Sequence, residues 1–506
     1  MRAGAAASSL ALAVTAAAAS SPGTPSPAPP PGSSAAAACD PPGAPPDPAR
    51  RAGGPRALLS TAPTTWIWAS PAIGAEPQRL GYVRAGTSLA TTSPDRTPGP
   101  GCPGGFLPVE PAGWVCVDRT VTLDPESRLS RAVALVEPGP GTLPYGYALS
   151  DGAPMYTRLP AVDEWTRAER WFGPAGVPRP LAWGSQGHGR LADARAIEPT
   201  GEAPFFLDAG GALRTETPLG LVRRRLPPGS MVAYTAAFRH AGRTFLLSAD
   251  GTVVPADRVR PFRPSAFRGV ELSAVSGLPV GFARAGGASR WSSDGAGALR
   301  LVGALAARAP IELDAAHPPR SQDGARYLAV RGSGGSEWIR ESELAVARGV
   351  ERLPIGVAPG ERWLEVSIGR GTLVAYEGLR PVFATLHSPG AGGVPRRGVD
   401  PVKASTTPLG VFRVTFKHRA ATMSPETGED RKFWIADVPW TQYFAAPFAL
   451  HTAYWHEDFG QPMSAGCVNV SPEDGKRLFE WTEPRVPPGW GGAAALGRGT
   501  KIAIVR

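Results

Sequence analysis

The chain has 506 residues, a formal net charge of +10 and a pI near 9.8, and 42% of its residues are hydrophobic. This length allows about three or four domains, and the 62 glycines and 57 prolines favour short strands and turns over long helices. The basic residues are scattered apart from the short run Arg223–Arg225, which has no interleaved aromatic residues. This distribution argues against a nucleic-acid partner and favours attraction to anionic envelope polymers, with a simply solvated basic surface as the alternative.

Residues 1–19 have the pattern of a secretory signal peptide. Arg2 precedes an uninterrupted run of small and apolar residues, Ala3–Ala19, whose end suits a cleavage site. The alternatives are an Ala-rich tail or a weak lipoprotein box at Ala36–Cys39, which prolines separate from the apolar run. The pattern predicts secretion across the cytoplasmic membrane to the periplasm or the cell wall. No later segment is long and apolar enough to span a membrane.

The next segments predict a linker and a small barrel. Residues 20–63 are rich in Pro, Ala, Gly and Ser, which is typical of a flexible linker. Short apolar runs broken by Gly, Pro and Asp over 64–122 predict a barrel that resembles the bacterial SH3-like modules of wall enzymes. In an oxidising compartment Cys102 and Cys116 would form a disulfide that contributes about 3 kcal/mol, the alternative being two buried thiols. That pairing leaves Cys467 as a thiol.

The middle of the chain is less regular. Residues 123–214 are predicted to be an irregular aromatic connector. Strand patterns return over 215–347, where Asp250-Gly251 between apolar runs predicts a hairpin, and one or two further SH3-like modules are expected.

A new domain is predicted over 350–506. Apolar and polar residues alternate from Trp363 onward, which predicts a half-buried strand that opens an antiparallel meander. Ser471-Pro472-Glu473-Asp474 has the pattern of a helix start, with Ser as N-cap and Asp474 as its capping-box partner. Residues 501–505 predict a closing strand. The expected fold class is therefore mainly β: SH3-like barrels, then a mostly β domain with a short helix.

One segment near the C-terminus concentrates the reactive side chains. His451 ends an apolar strand, and Cys467 follows 16 positions later in a Ser-x-Gly-Cys turn. An adjacent imidazole can generate a thiolate and hold it as an ion pair, so His451 is the candidate base and Cys467 the candidate nucleophile. Gly466 permits a tight turn whose amides can point at an oxyanion. The carbonyl of Thr452 is the nearest group to orient His451.

The segment from His451 to Ser464-Ala465-Gly466-Cys467-Val468-Asn469 resembles the active-site signature of the L,D-transpeptidases, whose catalytic domain is of the YkuD type. Residues 406–410, Thr-Thr-Pro-Leu-Gly, resemble the Thr-Pro-x-Gly strand start of that family. The resemblance covers about the last third of the chain and implies a mostly β catalytic domain. It implies that Cys467 attacks a carbonyl of a peptidoglycan stem peptide, releases the terminal D-residue and passes the acyl group to another amine. By the same resemblance His451 is the base, the amides of Gly466 and Cys467 form the oxyanion hole, and Ser464 and Asn469 shape the substrate loop. No cofactor is implied.

Two features depart from the family pattern. Ala465 stands where the family usually has His, and the spacing from His451 to Ser464 is short. His456 is a candidate to replace the missing imidazole, the alternative being a surface histidine. Tyr443 and Trp455, with Trp440 and Tyr454, are candidate walls of a substrate groove, although aromatic residues at this spacing are more often core.

Other functions are weighed against this one. Papain-like peptidases place Cys before His, which is the reverse of the order here. A zinc site from His451, His456 and Cys467 has no supporting motif, so no metal is expected. A non-catalytic wall-binding protein with a degenerate transpeptidase domain, favoured by Ala465, and an L,D-carboxypeptidase remain as alternatives. The acceptor is open between a stem peptide, a lipoprotein lysine and water.

Overall fold

A computed structural model describes residues 57–74, 78–181, 186–211, 220–273, 277–294, 297–424 and 433–506. The predicted signal peptide, most of the predicted linker and Cys39 lie outside these residues. In the part of the chain that is described, no helix is both long enough and apolar enough to cross a lipid bilayer. The fold is mainly β, as the Gly- and Pro-rich composition predicts.

The N-terminal elements begin earlier than predicted and extend further. Residues 57–60 lie inside the predicted linker but form a strand that pairs antiparallel with the strands at 88–90 and 121–122. The predicted connector contains two α-helices and two strands. In β6 and β7, Cys102 and Cys116 form a disulfide. The elements in chain order are β1 (Ala57–Ser60), β2 (Thr65–Trp68), β3 (Arg79–Val83), β4 (Ser88–Ala90), β5 (Thr97–Gly99), β6 (Cys102–Pro108), β7 (Trp114–Cys116), β8 (Val121–Thr122), α1 (Arg128–Ala134), β9 (Gly146–Ser150), β10 (Ala153–Tyr156) and α2 (Val162–Glu169).

The middle of the chain is built from short antiparallel strands. Asp250-Gly251 lies in the turn between β13 and β14, which pair antiparallel, so the predicted hairpin is confirmed. β9 of the predicted connector pairs with β12 and β15, so one sheet crosses the boundary expected at residue 214. The strands are β11 (Val222–Leu226), β12 (Met231–His240), β13 (Arg243–Ser248), β14 (Val253–Pro255), β15 (Val259–Pro261), β16 (Val270–Glu271), β17 (Val280–Ala283), β18 (Ala288–Ser293), β19 (Leu299–Leu305), β20 (Pro310–Glu312), β21 (Arg320–Gln322), β22 (Ala325–Ala329), β23 (Glu337–Arg340) and β24 (Leu344–Ala347).

The C-terminal part contains further strands and one helix. The elements are β25 (Arg362–Ser367), β26 (Thr372–Glu377), β27 (Arg380–Leu386), β28 (Gly410–Arg413), β29 (Phe416–Met423), β30 (Ile435–Ala445), β31 (Phe448–Thr452), β32 (Val468–Val470), α3 (Pro472–Trp481), β33 (Gly492–Ala494) and β34 (Lys501–Val505). One sheet has the order β16-β27-β26-β25-β34-β28, and a second group of strands carries His451 and Asn469. The closing strand expected over 501–505 is β34, which pairs parallel with β25.

Strand β25 is buried on both faces rather than half-buried. Leu364 and Val366 belong to the apolar cluster that also contains Leu450 and Leu478, whereas Trp363 belongs to a second cluster on the opposite face. The alternation of the sequence is thus present, but its polar positions are covered as well. Glu365 is 5% exposed, and Arg370 forms an ion pair with it.

Helix α3 begins as the sequence predicts. Ser471 is the N-cap, its hydroxyl accepts a hydrogen bond from the backbone N–H of Asp474, and Pro472 occupies the first turn. The Asp474 carboxylate accepts from the backbone N–H of Gly269 at 2.8 Å and from the Thr385 hydroxyl at 2.5 Å, and it also interacts with the Ser471 side chain. The helix start is confirmed, and Asp474 is held by distant strands as well as by the cap.

The first strands are joined to the C-terminal ones by main-chain pairing. β33 pairs with β29 on one side and with β3 on the other, with Gly81 opposite Ala493. Arg84 donates to Asp437 at 2.5 Å, and both side chains are largely buried. The N-terminal strands and the strands around the candidate site therefore belong to one continuous structure.

Candidate active site

The predicted base and nucleophile lie on neighbouring strands. β31 and β32 pair parallel, with His451 opposite Asn469, and Cys467 directly precedes β32. Side chains alternate along a strand, so the side chains of His451, Cys467 and Asn469 share one face while Leu450 and Val468 enter the apolar core. Cys467 is half-buried and takes no part in a disulfide.

His451 is held in a defined orientation. Its Nδ1 lies 3.0 Å from the carbonyl oxygen of Thr452, the group that the sequence suggested for this role. Because a carbonyl only accepts, Nδ1 carries the proton and Nε2 keeps its lone pair. Burial lowers the pKa of His451 to about 4, against the smaller opposing effect of the Thr452 hydrogen bond. A neutral imidazole in this tautomer can act as a base through Nε2.

The turn before Cys467 is closed by the side chain of Ser464. Its hydroxyl accepts from the Gly466 N–H at 3.0 Å and donates to the carbonyl of Cys467 at 2.5 Å. Gly466 has φ +130°, and a Cβ there would lie 2.5 Å from the ring of Phe448, so only glycine fits. The Gly466 N–H, which was expected to face an oxyanion, is thus occupied by Ser464. The exposed neighbour in this turn is Ala465.

His456 fixes Asn469 rather than facing the solvent. Its Nδ1 accepts from the backbone N–H of Asp458 at 3.2 Å, so Nε2 carries the proton of the neutral ring. Nε2 lies 3.2 Å from the side-chain amide of Asn469, whose other terminal atom has no hydrogen-bond partner. Both observations are satisfied if the Asn469 amide is turned so that Oδ1 accepts from Nε2–H. The ring is 1% exposed, so this placement argues against direct contact between His456 and a substrate.

Of the four candidate groove aromatics, Trp440 and Tyr454 are buried, and Tyr443 and Trp455 differ in placement. Tyr443 is half-buried on β30 opposite Ala449, and its pKa is raised first by burial and then by the nearby charge of Cys467. Trp455 is 6% exposed and packs between the rings of His451 and Tyr454, so it belongs to the core instead of a groove wall.

A part of the predicted connector also contributes to this region. His188 lies in a 3-10 turn, Gln186–Gly189, and packs edge-on against Phe433 and Trp455. Arg190 donates to the carboxylate of Asp458 at 2.5 Å. The backbone N–H of Asp458 in turn donates to His456, the residue that contacts Asn469. The sequence offered no signal for these contacts, since the partners are far apart along the chain. Among the described residues, no three or more His, Cys, Asp or Glu side chains are grouped so that they could hold a metal ion.

Comparison with known proteins identifies this region. Residues 361–504 match the family model of the L,D-transpeptidase catalytic domain, YkuD. Residues 361–504 are therefore similar to a YkuD-type L,D-transpeptidase catalytic domain. No curated protein is significantly similar to the chain.

Several solved structures are similar to this chain. An L,D-transpeptidase from Stackebrandtia nassauensis is 23% identical, with 29% of this chain and 57% of that chain covered and a TM-score of 0.19. One from Xylanimonas cellulosilytica is 22% identical, with 30% and 64% covered and a TM-score of 0.21. L,D-transpeptidase 3 from Mycobacterium tuberculosis, in complex with a faropenem-derived adduct, is 16% identical, with 37% and 69% covered and a TM-score of 0.21. The chain thus spans 57% and 64% of the length of the first two.

Proposed function

We propose that this chain is an exported peptidoglycan L,D-transpeptidase in which Cys467 is the nucleophile and His451 the base. The observation that carries the proposal is the hydrogen bond from His451 Nδ1 to the Thr452 carbonyl. It leaves the Nε2 lone pair available on the strand face that His451 shares with Cys467. The match of residues 361–504 to the catalytic-domain family supports peptidoglycan peptides as the substrate class.

The proposed reaction has two acyl-transfer steps. Nε2 of His451 takes the thiol proton as the sulfur of Cys467 attacks the carbonyl carbon before the terminal D-residue of a stem peptide. The resulting oxyanion collapses, the C–N bond breaks, and the imidazolium returns the proton to the leaving amine. An amine of a second stem peptide then attacks the thioester, loses its proton to Nε2 and releases the thiol. Protons and bonds balance without a cofactor.

Stabilisation of the oxyanion requires a local exchange at the turn. The amides of Gly466 and Cys467 are the proposed donors, but the Gly466 N–H is held by Ser464 Oγ in the resting structure. On acylation the Gly466 N–H would release this hydroxyl and donate to the oxyanion. Removal of one oxyanion donor from an enzyme of this kind costs roughly 10²–10³ in rate, so the exchange matters for turnover.

The alternatives concern the acceptor and the activity itself. Water in place of the second amine gives an L,D-carboxypeptidase, and a lipoprotein lysine gives an attachment reaction. A specific observation favours a non-catalytic wall-binding protein: Ala465 replaces the usual imidazole while the neighbouring amide is already occupied. His451 and Cys467 are nevertheless both present on one face, which favours the enzyme.

Incubation of the full chain with imipenem tests the proposal. We expect a mass increase of one drug molecule on the wild type, none on Cys467→Ala, and an unchanged increase on the control Cys39→Ala. Incubation with tetrapeptide muropeptides then separates the outcomes, because a transpeptidase yields cross-linked dimers and a carboxypeptidase only tripeptides. Absence of both adduct and products, with retained peptidoglycan binding, would instead establish the non-catalytic protein.

A further inference from the structure

A cleft of about 950 Å³ lies apart from Cys467, and neither Cys467 nor His451 lines it. It is bounded by the segment 266–271, the turn 307–310 and the start of α3. Phe267, Val270 and Phe383 supply its apolar surface. This volume is in the range of clefts that hold a small ligand or a short peptide.

One side of the cleft carries arginines that are incompletely neutralised. Arg268 is exposed and forms no ion pair in the described part of the chain. Glu457 is shared between Arg308 and Arg263 at 3.3 and 3.4 Å, longer than a close ion pair. Arg268 and Arg308 can therefore each accept a further carboxylate as a partner.

The backbone of Arg308 gives independent support for a role of its side chain. Its φ is +64°, in the left-handed region where a residue with a Cβ is disfavoured by about 1–2 kcal/mol. A glycine at this position would adopt the same backbone conformation without this cost. Arg308 nevertheless occupies this position, at the wall of the cleft.

The opposite side belongs to α3 and carries both signs of charge. Arg477 pairs there with Glu271 of the facing segment. Glu473 lies on the cleft wall and accepts from the Thr142 hydroxyl at 3.0 Å. Asp474 is 2% exposed and is fixed by Gly269 and Thr385, and burial raises its pKa to about 6. Within the described residues, the carboxylate on this wall that has no arginine partner is therefore that of Glu473, in the same cleft as Arg268 and Arg308.

We propose that this cleft is a second, non-catalytic peptide site that binds a short peptide carrying both free carboxylates and an amine. Carboxylates of the ligand would pair with Arg268 and Arg308, and its amine would approach Glu473. The assignment of the ligand as a peptidoglycan stem peptide rests on the proposed function. The protein would then hold one peptide of the wall in this cleft while Cys467 acts on another.

The site can be located with a synthetic stem tetrapeptide that carries a diazirine and a fluorophore. The full chain with Cys467→Ala is used, so that no turnover consumes the probe. We expect photo-cross-links within 266–271 and 307–310, found by peptide mass mapping. Arg268→Ala in this background should raise the Kd at least tenfold in fluorescence anisotropy, because a charge-assisted pair is lost. Arg300→Ala, an exposed arginine on β19, is the matched control and should leave the Kd unchanged.

A second probe tests the acidic wall. Acetylation of the side-chain amine of the peptide should weaken binding by a similar factor, because the contact to Glu473 needs a cation. Cross-links confined to the strands around Cys467, or equal Kd values for Arg268→Ala and Arg300→Ala, would overturn the inference. If imipenem does not acylate the wild type while Arg268-dependent cross-links persist, the proposed function fails and the peptide cleft stands.

Discussion

Acidification from pH 6.5 to pH 4 should strongly destabilise the protein, because several histidines are buried in the neutral form. Burial lowers the pKa of His387, His418 and His451 to about 4 and that of His456 to about 3. The unfolded chain, with an ordinary histidine pKa near 6.5, binds protons that the folded protein cannot bind. The stability present above pH 6.5 is therefore lost as the pH falls toward 4.

The magnitude follows from the size of these shifts. Each of the four rings contributes a loss of about 3 kcal/mol between pH 6.5 and 4, at 1.36 kcal/mol per pKa unit. Asp474 acts in the opposite direction, because burial raises its pKa to about 6 and the folded protein binds its proton first. This offsets about 3 kcal/mol. The net loss of about 9 kcal/mol is comparable to the whole stability of a typical protein.

Urea unfolding followed by tryptophan fluorescence between pH 7 and pH 4.5 measures this loss. His387→Gln keeps a donor for the Ser367 carbonyl, which lies 3.0 Å from His387 Nε2, but it removes one titrating ring. In this variant the dependence of the unfolding free energy on pH should fall by about 1.4 kcal/mol per pH unit between 6.5 and 4. His317→Gln is the control, since that side chain is 39% exposed. A flat profile over this range, or equal slopes for the two variants, would refute the reasoning.

Three further predictions concern the active-site turn and the N-terminal part. Ser464→Ala removes the acceptor that holds the Gly466 N–H in the resting turn, so this amide no longer has to break a hydrogen bond before it reaches the oxyanion; acylation by imipenem should become roughly two- to tenfold faster, whereas Ser464→Thr keeps the hydroxyl and the wild-type rate, as stopped-flow fluorescence can show. Glu169→Ala leaves two largely buried arginines without their shared carboxylate and should lower the unfolding free energy by about 3–5 kcal/mol; an unchanged melting temperature would contradict this. Cys116→Ser removes the disulfide and should lower the free energy of unfolding by about 3 kcal/mol. This difference from the wild type should disappear when both proteins are measured under reducing conditions.

Local features of the site were predictable because they depend on neighbours in sequence. Ser471 and Pro472 start α3 through interactions within one turn, and the Asp250-Gly251 turn joins β13 to β14. The carbonyl that orients His451 is that of the next residue, Thr452. In each case the physical cause acts over a few residues, so the pattern of residue types was sufficient.

The features that were missed depend on partners far away in sequence. His456 is 1% exposed, and distant residues such as His188 and Arg190 lie near enough to act on its charge, which its own surroundings in the sequence do not indicate. Asp474 has the spacing of a capping-box residue, but Gly269 and Thr385 also donate to its carboxylate. The lowered pKa of His451 likewise has its cause beyond the neighbouring residues, since it comes from burial in the folded domain.

The pairing of β33 with both β3 and β29 has a consequence for how the protein is made. During synthesis, the early strands around Gly81 emerge from the ribosome long before the segment that completes their hydrogen bonding at Ala493. Until then they present an unsatisfied edge, which is a site for pairing with the wrong chain. A shortened version beginning at residue 361 would have the reverse defect, because β33 would lack its neighbour β3. We therefore expect the isolated C-terminal third to be poorly soluble unless the N-terminal strands are supplied.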